Sequence, residues 1–123
     1  MREIKFRGKR IDNGEWVYGY FLYGAILDQY VIWTDHENWI VDPETVGQLT
    51  GLRDKNGIDI YEDDALEDDE DIAKVVFEMG QFMAFYRNGR GEWKPYGTLL
   101  KYMVDHDGRV VGNIYECPEL AAI

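Results

Sequence analysis

The sequence predicts one small, mostly β domain built from short antiparallel strands, and three observations predict it. Four turn pairs, Asn13-Gly14, Asn56-Gly57, Asn88-Gly89 and Asp107-Gly108, punctuate a chain of 123 residues. Asn and Gly accept the positive φ that tight hairpins demand. The stretches between those turns are rich in β-formers, such as Ile4 and Phe6 before the first turn and Trp16-Val17-Tyr18 after it. Apolar residues at helical spacing are confined to one short segment. Frequent turns between short apolar runs point to hairpins rather than to crossover helices.

Taken in order, the predicted strands are 2–8, 15–23, 25–33, 45–50, 58–61, 72–79, 81–87 and 109–115. Ile4 and Phe6 alternate with Glu3, Lys5 and Arg7, the period of two of a half-buried strand. Val75-Val76-Phe77 and Phe82-Met83-Ala84-Phe85-Tyr86, split by Gly80-Gln81, read as a hairpin. The helix candidate is 97–103, where Leu99, Leu100 and Met103 share a face and Thr98 is placed to cap the start. The run 62–71 holds eight acidic residues in ten. Like charges at i and i+4 oppose a helix there, so the run is expected to be a solvated loop that ends at most as an edge.

Composition bounds the class. Hydrophobic residues make up 46% of the chain and aromatics 15%, too apolar for a disordered chain and enough for a core in a single domain over 1–123. Cys117 stands alone, so no internal disulfide is expected and a reducing cytoplasm is the default compartment. No segment approaches the ~20 apolar residues of a membrane helix, so no membrane partner is expected. Net charge is −11, divided into −3 over residues 1–61 and −8 over 62–123. That balance disfavours direct nucleic-acid binding. The exception would be the basic first strand, where Arg2, Lys5, Arg7, Lys9 and Arg10 stand against Glu3.

Motifs of catalysis do not emerge. The acidic run invites a divalent cation, yet a calcium loop needs glycine at its sixth position. A loop starting at Asp54 has glycine fourth, at Gly57, and one starting at Asp63 has none. His36 and His106 sit in polar turn-like settings without a second histidine at zinc spacing, and read as surface residues. Cys117 reads as a small hydrophobe. Arg87-Asn88-Gly89-Arg90-Gly91, near Trp93 and Tyr96, is a basic glycine-rich piece of the kind RNA readers use, but a hairpin turn is the simpler reading. No cofactor is implied. The most open feature is Trp33-Thr34-Asp35-His36-Glu37-Asn38-Trp39, two indoles around a polar loop. Core packing is the commoner fate of such residues; interface anchoring makes Trp33 and Trp39 the candidate interface residues.

Residues 46–64 read Val-Gly-Gln-Leu-Thr-Gly-Leu-Arg-Asp-Lys-Asn-Gly-Ile-Asp-Ile-Tyr-Glu-Asp-Asp. This block resembles the signature of the YopX-like family, small proteins encoded by bacteriophages and prophages. The opening residues 1–10 and the block Val111-Gly112-Asn113-Ile114-Tyr115-Glu116-Cys117-Pro118-Glu119-Leu120 resemble that family's start and finish. The chain departs from the pattern at Asp63, where the family commonly has Gly, and at Leu49, where it commonly has an aromatic. Asp is among the better substitutes if a positive φ is needed at 63. The resemblance implies a mainly β fold with a small barrel-like sheet and at most one or two short helices. It also implies a phage or prophage origin and a place in the bacterial host cytoplasm. It transfers no catalytic residue.

The signature residues in this chain are Gly47, Gln48, Thr50, Gly51, Leu52, Asp54, Gly57, Ile60, Tyr61, Glu62, Asp64, Gly112, Asn113, Tyr115 and Glu116. They read as structural: Gly47 and Gly51 as turn glycines, Asp54-Lys55-Asn56-Gly57 as a turn, and Ile58, Ile60 and Leu66 as core. Tyr61 reads as an edge residue with its hydroxyl in water. The resulting expectation is a non-enzymatic module that binds a protein partner or assembles with itself, helped by sheet edges open to strand pairing. One alternative is an acidic decoy, whose carboxylates 67–70 imitate phosphates toward a host nucleic-acid-binding protein. Another is a metal-assisted hydrolase using Asp63, Asp64 and a histidine.

Overall fold

The computed structural model describes residues 4–24, 28–69 and 71–117. Within them lie eleven strands and one α-helix: β1 (Phe6–Lys9), β2 (Trp16–Gly24), β3 (Gln29–Trp33), β4 (Asn38–Ile40), β5 (Gly47–Arg53), β6 (Asp59–Tyr61), β7 (Asp64–Glu67), β8 (Ile72–Glu78), β9 (Gln81–Arg87), β10 (Trp93–Thr98), α1 (Leu99–His106) and β11 (Arg109–Asn113). A 3-10 turn at Pro43–Thr45 precedes β5, capped by Asp42, whose side chain accepts from the Glu44 N–H. The strands form two antiparallel sheets, ordered β4-β3-β2-β1-β5-β6 and β10-β9-β8-β7-β11. Each has two different end strands, so the barrel-like part of the expectation is corrected to open sheets. One isolated bridge, Arg10 to Val41, joins the end of β1 to the end of β4 without extending into a ladder.

The chain divides into two compact units, 1–49 and 50–123. In the first, β2 is shared between two neighbours. Its residues 16–19 pair with β1 and its residues 20–24 pair with β3. Gly19 stands at the changeover, where a Cβ would lie 2.1 Å from the Trp33 carbonyl oxygen; only glycine lets the two backbones approach so closely. The inner face gathers Phe6, Phe21, Tyr30 and the fully buried Ile32, with Phe21 stacked on Tyr30 at 5.7 Å between centroids.

In the second unit the core is Ile60, Leu66, Ala73, Val75, Ala84, Leu99 and Tyr102. The β8–β9 hairpin turns on Met79 and Gly80, both at positive φ, with Glu78 facing Gln81. Two positive-φ residues suit the right-handed twist of the flanking strands. Thr98 caps α1 as predicted, accepting from the Lys101 N–H at 3.2 Å. The helix buries Leu99 and Tyr102, while Leu100 is exposed. The shared face predicted with Leu100 is therefore corrected to one carrying Tyr102.

Several further expectations are corrected. The acidic run is a loop only in part: Asp64, Ala65 and Leu66 are buried in β7, an inner strand between β8 and β11, whereas Asp68, Asp69 and Asp71 lie outside any strand. The charges are tolerated because alternation sends Glu67 opposite Arg109, 3.4 Å away, an ordinary cross-strand pair. Three strands escaped prediction: β4, β7 and β10. Asp107-Gly108 is no hairpin turn; Asp107, at φ 50°, ends α1 in the left-handed conformation. Gly47 lies within a strand rather than a turn, Ile58 is exposed, and Tyr61 is buried. The predicted strand positions 2–3 and 25–27, Glu70 and the terminal 118–120 lie outside the described residues.

Candidate interaction surface

The signature residues from Thr50 onward include several whose hydrogen bonds close the second unit. The Asp54 carboxylate accepts three backbone N–H groups: Asn56 and Ile58 on Oδ1 and Val110 on Oδ2, each at 2.9 Å. It thus ties its own turn to β11, 56 residues away. Burial alone would raise its pKa, but those donors, Val110 first, outweigh burial and hold it below the usual carboxylate value. Gly57, at φ 79°, completes the turn and donates to the Asp54 carbonyl.

Asp63 takes the positive φ of 71° that its position demands. Its carboxylate accepts the Tyr115 hydroxyl at 2.7 Å, a bond that a glycine would forfeit. Asp64, 1% exposed, accepts the Tyr61 N–H at 2.8 Å. Thr50 donates to the Ile60 carbonyl at 2.7 Å, followed by Gly51 at φ 88° and the partly buried Leu52. Asn113, buried, accepts from the N–H groups of Tyr115 and Glu116, each at 3.0 Å, and closes the last turn. In the first unit Gly47 faces Arg7 and Gln48 faces Phe6. Glu62 is half-buried in the turn before Asp63, and Gly112 marks a register shift in β11. Each carboxylate of the block that is buried holds a backbone segment in place.

The first unit presents a different surface. Strand register places Arg7 opposite Tyr18, Lys9 opposite Trp16, Tyr20 opposite Trp33, Leu22 opposite Val31, and Val31 opposite Ile40. Residues directly opposite one another share a face. Tyr18, Tyr20, Leu22, Trp33 and Ile40 are all exposed there, Tyr20 at 66% and Trp33 at 48%. Lys5 stands over Tyr18 at 5.8 Å, and Arg7 and Lys9 over Trp16 at 4.8 and 5.6 Å. Among the described residues of β1 to β4, no carboxylate lies on this face. It is a basic flank on β1 joined to an aromatic and aliphatic patch on β2, β3 and β4.

The family model described as YopX protein matches residues 5–122. The chain belongs to the YopX family. No curated protein matches it. Most signature residues of this YopX chain lie in its second unit, where Thr50, Asp54, Asp64 and Asn113 make the folding contacts described. Its exposed aromatic face lies in the first unit, largely between the opening block and the 46–64 block.

The two candidate tryptophans separate. Trp33 is open on the face, whereas Trp39 is half-buried under the Arg10 guanidinium, 3.9 Å from its ring centroid. Trp16 is half-buried beside its cations, and Trp93 is buried between Lys74 and Arg87, at 4.7 and 4.8 Å. Burial pushes the Lys74 ammonium pKa down. His36 is exposed. His106 has more company than a bystander: Nδ1 lies 3.0 Å from Asp68, and its ring stacks on Tyr102 at 5.3 Å. Burial, then the nearby Asp68 and Asp71, drive the Tyr102 hydroxyl pKa upward.

A depression beside the acidic run is lined by Asp68, Asp69, Asp71, Ile72 and Arg87. Among the described residues no three His, Cys, Asp or Glu side chains gather closely enough to hold a metal ion. The Arg87–Gly91 piece forms the β9–β10 hairpin, its Asn88 carboxamide accepting from the N–H groups of Arg90 and Glu92. Three of the four end strands, β4, β10 and β11, are guarded. β4 has three residues, β10 carries Pro95, and β11 is irregular. Sequence reasoning missed Tyr18, Tyr20, Leu22 and Ile40. The signal was available: Tyr18, Tyr20 and Leu22 alternate at period two. No helix of the described residues is long and apolar enough to cross a membrane.

Proposed function

We propose that this YopX-family chain is a non-enzymatic protein-binding module that docks a partner protein, or a second copy of itself, on the outward face of β1 to β4. The observation that carries the reading is the contiguous exposure of Tyr18, Tyr20, Leu22, Trp33 and Ile40 on adjoining strands. Monomeric proteins rarely leave such a patch uncovered, and Trp and Tyr are the usual anchors of interfaces. The guarded edges favour a face over strand addition. Glu67 and Asp68 of the acidic run are already engaged by Arg109 and His106, so the face of the first unit is the better supported surface. The phage or prophage origin and the host cytoplasm implied by the family resemblance belong to this proposal, as does the single domain over 1–123.

Light scattering of the purified chain, together with affinity capture from a bacterial host extract, tests it. The expected result is self-association or a retained protein that Tyr20→Ser with Trp33→Ser releases while the circular dichroism stays unchanged. A strictly monomeric chain that retains nothing, or a partner held equally by the double variant, overturns it.

A further inference from the structure

Resting on that reading, we infer that the occupant of the face is an acidic, amphipathic polypeptide segment. The chain carries 24 Asp and Glu against 13 Lys and Arg, yet this face offers a partner the half-buried Lys5 and Lys9 and, among the described residues of β1 to β4, no carboxylate. Carboxylates of a partner meet these ammonium groups with complementary charge, whereas a basic partner gains nothing there. The distribution of the cations also matters. Both lie on the β1 flank, over Tyr18 and Trp16. Tyr20 and Trp33, with Leu22 and Ile40, form the apolar remainder.

A segment that fits must therefore pair carboxylates on one side with apolar side chains on the other. The aliphatic share decides against single-stranded nucleic acid. Bases stack on aromatic rings, but Leu22, Val31 and Ile40 offer no ring. A second copy is a weaker fit. The acidic run of this chain keeps its apolar residues Ala65 and Leu66 fully buried in β7, so it presents carboxylates without an apolar side.

Fluorescence polarisation of labelled synthetic peptides tests this on the whole chain. The probes are a peptide of about twelve residues alternating Glu with Leu and Phe, its Lys-for-Glu counterpart, and an oligothymidylate of about twelve nucleotides. The acidic peptide is expected to bind saturably. Its affinity should fall about fivefold in Lys5→Ala with Lys9→Ala, and again between about 50 and 500 mM salt. Trp33→Ser should cost about tenfold or more.

Equal binding of the acidic and basic peptides, both lost in Trp33→Ser, overturns the charge inference and leaves the docking face standing. Acidic binding indifferent to Trp33→Ser overturns the face itself. Preference for the oligothymidylate, or binding of no probe, overturns the inference. Self-association that the acidic peptide fails to displace assigns the face to a second copy and overturns it as well.

Discussion

The two units use similar residues in opposite ways. The second unit gathers a core around Leu66 and Val75 and uses acidic side chains as structural links. Leu66 and Val75 are fully buried, and Asp54, Asp63 and Asp64 each accept bonds from backbone or tyrosine groups. The first unit keeps Tyr20 and Trp33 outside and gathers its cations beneath and beside aromatic rings. Carboxylates that would be costly to bury alone are stabilising once donors surround them. Aromatics that could have filled a core instead cover a surface. The dense motif lies where the fold is held, and the apolar face of the first unit is where docking is proposed.

That contrast can be broken by mutation, and the largest effect should come from the core of the second unit. Leu66→Ala, in the middle of β7, should destabilise the chain by about 2–5 kcal/mol in urea denaturation. Asp54→Ala should follow closely. It strands three backbone donors, at least partly shielded from water, at a cost of about 1–3 kcal/mol or more.

The same carboxylate gives a pH signature. Its folded pKa is lowered, so its stabilisation is complete above the unfolded carboxylate value of about 3.9 and drains away as pH falls through the lower folded value. Asp54→Asn should flatten that acid limb in a series of denaturation midpoints taken from pH 6 downward, in steps of about half a unit. An unchanged limb would assign the acid sensitivity to other carboxylates.

Smaller effects sharpen the comparison. Tyr115→Phe removes one hydroxyl bond to Asp63 and should cost about 0.5–1.5 kcal/mol. Tyr20→Ser and Trp33→Ser, on the exposed face, should each move stability by only about 0.5 kcal/mol. If either surface variant proved as damaging as Leu66→Ala, the face would be a covered core and the division of roles would collapse.

Much of the fold was legible because local signals were strong. The β8–β9 hairpin and the Thr98 cap follow from patterns spanning a few residues, whereas the positive φ at Asp63 was suggested only by the family resemblance. What escaped depends on distant partners. β7 looked like a charged loop because Asp64 and Glu67 are acceptable in a strand only once the Tyr61 N–H and Arg109 are brought up to them. β10 was hidden by Pro95, which is tolerable because β10 has a neighbour on one side only, β9. Trp33 and Trp39 were read together, but Arg10, almost thirty residues from Trp39 along the chain, covers one and not the other. The exposed face was half legible: the alternation of Tyr18, Tyr20 and Leu22 shows one side of a strand, but not whether anything lies on it.

Hydrogen exchange of the chain alone and with the proposed acidic peptide tests the division of roles most directly. The account predicts slowed exchange in β2, β3 and β4 on binding, with β8 and β9 unchanged. Protection confined to β8 and β9, with β2 to β4 exchanging as in the free chain, would contradict it.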